Sequence, residues 1–144
     1  MATLEINGMD DLNAAFGRIG SWPDSVKRDA LGAMASIAMR EIKRTGESMG
    51  VRDPDSDVHI LDNLALAKAK LSTSGGTQDV TFRGTRTRGD TKTRNAEIAF
   101  INEYGTRDQP ARPFIGRTMA QNDEQIADAG GDVLLDWIET EYSK

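Results

Sequence analysis

Chemistry in this chain has few side chains to draw on. Of its 144 residues one is a histidine, His59, and none is a cysteine. Without cysteine there is no disulfide, no thiolate metal ligand and no thiol nucleophile. A lone histidine cannot build a multi-histidine zinc site, and no Gly-x-Ser-x-Gly elbow presents a serine for it to activate. His59 therefore reads as a surface or helix-entry residue. The nearest approach to a metal loop is Asp53-Pro54-Asp55-Ser56-Asp57. A calcium loop would take Asp53, Asp55 and Asp57 as its first three ligands. Its sixth position needs glycine and holds Val58, and its twelfth needs glutamate and holds Leu64. The spacing predicts an exposed acidic turn. No Gly-x-x-x-x-Gly-Lys-Ser/Thr phosphate loop appears, and Gly84-Thr85-Arg86-Thr87-Arg88-Gly89 has two glycines in the wrong spacing and loop context for a nucleotide fingerprint. Carboxylates are plentiful enough for two to meet in space, and nothing in their spacing favours a paired-carboxylate hydrolase. No catalytic residue, cofactor or metal ion is expected.

The stronger signal is a local reversal of charge. The chain carries a net charge of -5, which argues against generic nucleic-acid binding by the whole molecule. Yet Arg83, Arg86, Arg88, Lys92 and Arg94 crowd one segment in which Asp90 is the only acid. Three readings compete: a solvated hairpin tip, a dock for an acidic neighbour that orders on assembly, and a contact for DNA phosphates. No aromatic residue is interleaved between Arg83 and Arg94, so base stacking is not expected there. Docking on a neighbour ranks above DNA contact.

Those residues must be carried by elements that the apolar pattern outlines. Hydrophobic residues make up 38% of the chain and aromatics 6%, so Ala, Leu, Ile, Val and Met must fill the core. Residues 3–7 read as a short strand or an extended lead-in, and Leu12, Ala15, Phe16 and Ile19 as a short helix capped by Asp10 or Asp11. The strongest helix is predicted over residues 23–48. Val26, Ala30, Leu31, Met34, Ile37, Ala38 and Ile42 form its apolar face, with Lys27, Arg28, Arg40, Glu41, Lys43 and Arg44 on the other side. Leu61-Asp62-Asn63-Leu64 reads as a helical turn that docks on the core. Residues 65–72 suit either helix or strand, and a short turn passing into a strand is expected. Residues 78–83 and 95–101 read as the two strands of a hairpin, the second through Ala96, Ile98 and Phe100, with residues 84–93 as its polar tip. A final helix begins near Pro113, which suits a first helical position, and Gly130-Gly131 is expected to break or kink it.

Residues 100–114 join sheet to helix. The turn Tyr104-Gly105-Thr106 and the stiff Pro110-Ala111-Arg112-Pro113-Phe114 look like a corner of fixed geometry. Gly105 supplies a positive φ, and Tyr104 packs its ring and bonds its hydroxyl locally. Arg107 and Arg112 flank the corner and are candidates for bridging to another subunit. Each such exposed pair would contribute only about 0–1 kcal/mol.

This stretch, followed by a long C-terminal helix, resembles the small neck and tail-completion proteins of long-tailed bacteriophages, which sit at the head–tail joint. The resemblance covers most of the chain, and its specific part is the Tyr-Gly-Thr to Pro-Phe segment. It implies a structural virion protein without catalysis, forming a ring around a DNA-wide channel. Its partners would be copies of itself, a head-completion or connector protein, and a tail-tube or tail-terminator protein. DNA would pass through without specific binding. The protein would assemble in the host cytoplasm and reside at the head–tail junction.

The expected architecture is α+β and a single domain over residues 1–144. A helical N-terminal part (about 1–50), a β-rich middle (about 65–105) and a C-terminal helical part (about 113–143) would pack as two long helices on a small antiparallel sheet with a long basic hairpin tip. The first residues show no signal-peptide pattern, and no apolar run approaches the ~20 residues of a membrane span. The rival reading is a small binding protein that applies the basic hairpin to DNA or an acidic partner.

Overall fold

The computed structural model describes residues 2–5, 22–51, 59–73, 75–88 and 90–143. The helix expected near residues 10–19 and the acidic turn at 53–57 lie outside the described residues. Helix α1 (Asp24–Ser48) follows Pro23 and buries Val26, Ala30, Leu31, Ala35, Ala38 and Ile42 along one stripe, close to the face that its periodicity outlines. It stops because Gly50 takes a positive φ of 76°. The Val51 N–H then donates to the Gly46 carbonyl at 2.9 Å and the Gly50 N–H to the Glu47 carbonyl at 3.2 Å. This paired closure satisfies carbonyls that the helix end would leave orphaned.

Two residues assigned to the polar side of α1 are buried instead. Lys27 is 3% exposed, and its Nζ donates to the carbonyls of Ser72 and Thr73, both at 2.9 Å. Its four-carbon stem covers apolar surface while the ammonium reaches backbone acceptors at the rim. Glu41 is buried between Arg40 at 3.1 Å and Arg44 at 3.6 Å. In both cases a charged group is tolerated inside because its partners are already in place.

The sheet is built on β4 (Gly75–Phe82). Strand β1 (Ala2–Glu5) pairs along one edge of β4, while β2 (Leu64–Leu66) and β3 (Lys70–Ser72) pair along the other, all antiparallel. Leu66 faces Val80 and Lys70 faces Thr77, so the 64–72 segment carries one residue more than its partner between those pairs. That is a bulge, and it switches the side-chain alternation. Leu64 and Leu66 share the face of Phe82 and Val80, and beyond the bulge Leu71 stands opposite Gly76 on the same face. The mixed helix and strand signal of residues 65–72 thus resolves as an interrupted strand. Ahead of it a single 3₁₀ turn (Ile60–Asn63) buries Ile60 and Leu61, docking on the core as its sequence suggests.

The expected second hairpin strand is a helix. Residues 95–101 belong to α2 (Asn95–Tyr104). Ala96, Ile98 and Phe100 do alternate, but the buried residues are Asn95, Ala99 and Asn102, at helical spacing. Two of those three are asparagines, so an apolar-only pattern shows the period of two and hides the period of 3.6. The basic segment pairs with itself instead. Strands β5 (Thr85–Arg88) and β6 (Thr91–Arg94) form a separate two-stranded ribbon, favoured by four threonines with high strand preference.

Helix α3 (Phe114–Tyr142) runs without a break through Gly130 and Gly131, contrary to the expected kink. It lies antiparallel to α1. Thr118 near its start donates its hydroxyl to the Phe114 carbonyl at 2.7 Å and lies 3.4 Å from the Glu41 carbonyl near the end of α1, while Leu134 near the end of α3 packs with Val26 and Ala30. Gly130 is buried against Met34, and a Cβ there would stand 2.6 Å from the Met34 Sδ. The glycine lets the two helices approach. Trp22 and Trp137 stack at 5.5 Å to close that end of the pair. The result is α+β: α1 lies on the small antiparallel sheet, α3 packs on α1 and meets the sheet through Phe114 against Phe82, and the basic segment forms its own two-stranded ribbon rather than the tip of a hairpin of that sheet.

Candidate docking surface

The corner between α2 and α3 is held by backbone-directed bonds. Gly105 ends α2 with φ 75°, its N–H donating to the Ile101 carbonyl at 2.8 Å. A Cβ there would lie 2.7 Å from the Ala111 nitrogen, so glycine is required for space as well as conformation. The Thr106 hydroxyl accepts the N–H groups of Asp108 at 3.3 Å and Gln109 at 3.1 Å. Asn102 is buried and its carbonyl accepts the Arg112 N–H. Glu103 then reaches across to the start of α3, accepting the N–H groups of Ile115 at 2.8 Å and Gly116 at 2.9 Å. A carboxylate there satisfies two orphan donors and suits the positive end of the helix dipole. Pro113 precedes the helix as its cap residue rather than occupying the first turn. Phe114 is fully buried, edge-on to Phe82 at 6.0 Å. Gly105, Pro113 and Phe114 lie in this corner, and Pro110 is exposed.

Tyr104 departs from its expected role. It is 69% exposed, and Phe100 one turn earlier is 61% exposed. Their rings touch at 4.7 Å and 49°, an i, i+4 pair on the open face of α2. With Ala96 and Ile115 they line an open groove of about 470 Å³, rimmed by Arg94, Glu97 and Glu103. Assigning Phe100 to a strand concealed this surface. Read as a helix, the four-residue spacing of Phe100 and Tyr104 is the signal that finds it.

The basic residues do not make one patch. Register puts Thr85 opposite Arg94, Arg86 opposite Thr93, Thr87 opposite Lys92 and Arg88 opposite Thr91. Every cation therefore faces a threonine, and no two like charges stand directly opposite, an arrangement that would be destabilising. It also divides the charge. Positions 92 and 94 lie on the outer face. Position 86 lies on the inner face, where Arg86 and Thr93 line a second groove of about 410 Å³ with Ile98, Ile101 and Gln109. Arg94 is paired with Glu97 at 3.0 Å, and Arg83 donates to the Leu66 carbonyl at 3.3 Å. The Arg88 side chain lies outside the described residues. Asn95 anchors the ribbon root, its side-chain amide donating to the Arg83 carbonyl at 2.8 Å.

The two corner arginines also differ. Arg112 donates to the Gly50 carbonyl at 2.9 Å, so it ties the corner to the end of α1 rather than reaching outward. Arg107 is exposed at the loop tip. His59 immediately precedes the 3₁₀ turn, and its carbonyl accepts the Asn63 amide at 2.8 Å, in keeping with a helix-entry role. Among the described residues no three of His, Asp and Glu stand close enough to hold a metal ion, and no helix is long and apolar enough to cross a membrane. No protein-family model, curated protein or solved structure matches the chain.

Proposed function

We propose that this chain is a structural subunit of the head–tail joint of a long-tailed phage or prophage, a neck or tail-completion protein that works by assembly and not by catalysis. The observation that carries the proposal is the Phe100–Tyr104 pair, exposed beside a corner held by Glu103, Gly105 and Phe114. Large apolar side chains grouped on a rigid surface mark a contact site. The Tyr-Gly-Thr to Pro-Phe segment that forms this corner is also the segment carrying the resemblance to phage neck proteins. In this reading the helices and sheet form a ring wall, copies of the subunit meet side by side, and connector-side and tail-side proteins cover the two rims. DNA passes through the channel without specific contact. Repetition of one contact around a ring lets weak interfaces act together.

The rival reading, a basic hairpin that binds DNA or an acidic partner by itself, loses support from the division of charge between the two ribbon faces. The test of the proposal is mass by light scattering across concentration, with negative-stain imaging of the same sample, followed by labelling in particles. Closed rings, or label at the head–tail junction, are expected. Label elsewhere in the particle, or in no particle, would overturn it.

A further inference from the structure

The two faces of the basic ribbon meet different surroundings. On the outer face Arg94 bonds Glu97 and belongs to the aromatic groove. The inner face borders the groove of about 410 Å³, where Arg86 and its cross-strand neighbour Thr93 are joined by Thr91, Ile98, Ile101 and Gln109. Ile98 and Ile101 lie on a different side of α2 from Phe100 and Tyr104, since each residue turns the helix by about 100°. Among the described residues that line this groove, Arg86 carries the one charge. The chain has a net charge of -5, yet the lining holds a cation and no carboxylate. Asp90 in the ribbon turn and Asp108 in the corner are exposed and lie outside it.

The polar part of the lining is built to donate. A guanidinium offers five N–H groups in a planar fork that matches a carboxylate. The hydroxyls of Thr91 and Thr93 can donate beside it. The Gln109 amide uses one N–H on the Asn102 Oδ1 at 3.4 Å and keeps a second. Register also sets position 88 opposite Thr91 on the same face as position 86, so arginine recurs there at every second residue. The apolar part comes from α2, through Ile98 and Ile101, both half-buried. An extended peptide has the same period of two. Between ribbon and helix it would turn one set of side chains to Arg86 and the other to the isoleucines. A nucleic-acid backbone has acceptors for the first and little to cover the second, and no aromatic ring among the lining residues offers a base a platform.

We infer that the groove between the ribbon's inner face and α2 binds an extended acidic segment of a partner protein, in which carboxylates alternate with aliphatic residues. Arg86 takes a carboxylate in a paired, charge-assisted contact. Thr91, Thr93 and Gln109 donate around it, and Ile98 and Ile101 receive the aliphatic side chains. The ribbon is not the site by itself: α2 and the corner supply the other wall. A two-stranded ribbon alone is marginally stable, and this one joins the rest of the fold through β6 on α2. A segment laid along it would therefore also order it. The inference goes beyond the assembly reading, which rests on the other groove, and stands or falls separately from it.

Fluorescence anisotropy with short labelled peptides tests it, one alternating glutamate with valine and one alternating glutamine with valine, beside a labelled DNA duplex. The acidic peptide should bind about tenfold or more tightly than the glutamine peptide. Arg86→Gln should abolish that preference, and Arg86→Lys should recover part of it, because an ammonium keeps the charge without the fork. Thr93→Val should weaken binding with the charge unchanged, and it carries the comparison should Arg86→Gln disturb the ribbon. Lys92→Gln on the outer face should change affinity by no more than about twofold, since an exposed charge off the site acts through screened solvent. Bound peptide should slow amide exchange in β5 and β6. Equal affinity for the two peptides, or a preference that survives Arg86→Gln and Thr93→Val, would overturn the inference. So would a loss in Lys92→Gln as large as in Arg86→Gln. A duplex that binds more tightly than the acidic peptide, and loses that binding in Arg86→Gln, would overturn it in favour of a phosphate site. None of these outcomes alters the assembly reading, which imaging and labelling in particles decide.

Discussion

Glu103 and Ile115 join two helices that meet at an angle. The carboxylate at the end of α2 accepts the Ile115 N–H at 2.8 Å, and its other oxygen takes the Gly116 N–H at 2.9 Å. This bond fixes the direction in which α3 leaves the corner. It also engages the one carboxylate that would otherwise stand free in the aromatic groove. Glu103→Ala is expected to cost about 1–2 kcal/mol, the range for losing a helix cap. Glu103→Gln, which keeps an acceptor for one donor, should cost less. Urea unfolding of the three proteins checks the order. Equal stability of all three would mean that the Pro110–Phe114 segment positions α3 unaided.

Gly130 and Gly131 are adjacent in sequence and opposite in role. A Cβ at Gly130 would press on Met34, whereas none of the neighbouring atoms lies within 4 Å of a Cβ at Gly131. Gly131→Ala should therefore stabilise by up to about 1 kcal/mol through helix preference alone. Gly130→Ala should destabilise by about 1–3 kcal/mol through overpacking, less that same gain. In a Met34→Ala background the Gly130→Ala penalty should vanish. Thermal unfolding of the single and double variants is sufficient. A stabilising Gly130→Ala in the presence of Met34 would show that α1 and α3 leave room for a methyl group at their crossing.

Lys27 links the first turn of α1 to the end of β3 by two bonds to backbone carbonyls. Lys27→Met keeps most of the stem and removes the ammonium. A loss of about 1–2 kcal/mol is expected, because the carbonyls of Ser72 and Thr73 lose a charged donor but stand near enough to solvent to regain water. Hydrogen exchange should locate the loosening at β3 and the adjoining edge of β4. Loosening spread evenly over the protein would argue against a local clasp.

The ribbon limits what DNA can gain from this protein. Five cations acting together would give a log–log salt slope of about -4 to -5. With Arg94 paired to Glu97, Arg83 turned to the Leu66 carbonyl and the remainder divided between two faces, two simultaneous phosphate contacts are expected, for a slope of about -2 or shallower. Fluorescence anisotropy of labelled duplex across salt measures it. A slope near -5 would favour the DNA-binding reading over the assembly reading.

Phe100→Ser with Tyr104→Ser removes the exposed aromatic pair. Both rings are mostly in solvent, so fold stability should change by no more than about 0.5 kcal/mol, while oligomeric mass falls to that of the monomer. Stability from urea unfolding and mass from light scattering separate the two effects. A large loss of stability would place the pair in the fold rather than at a contact.

Local pattern was enough for several of these features. The stripe of α1 from Val26 to Ile42, the docking turn at Leu61, the final helix and the poverty of reactive side chains can be read from residue types and spacing, since helical periodicity is a property of neighbours along the chain. What depends on distant partners could not be read that way. The buried stripe of α2 runs through Asn95 and Asn102, whose side-chain amides donate to the Arg83 and Ile98 carbonyls. Only the helical turn so formed leaves Phe100 and Tyr104 on one open face. Lys27 looked solvated until Ser72 and Thr73 were brought beside it, and Arg112 looked free until the Gly50 carbonyl was. Residue types and their spacing set which segments favour helix and which carry charge. Which polar groups find partners inside, and which apolar ones are left without cover, depends on contacts between segments far apart in the chain.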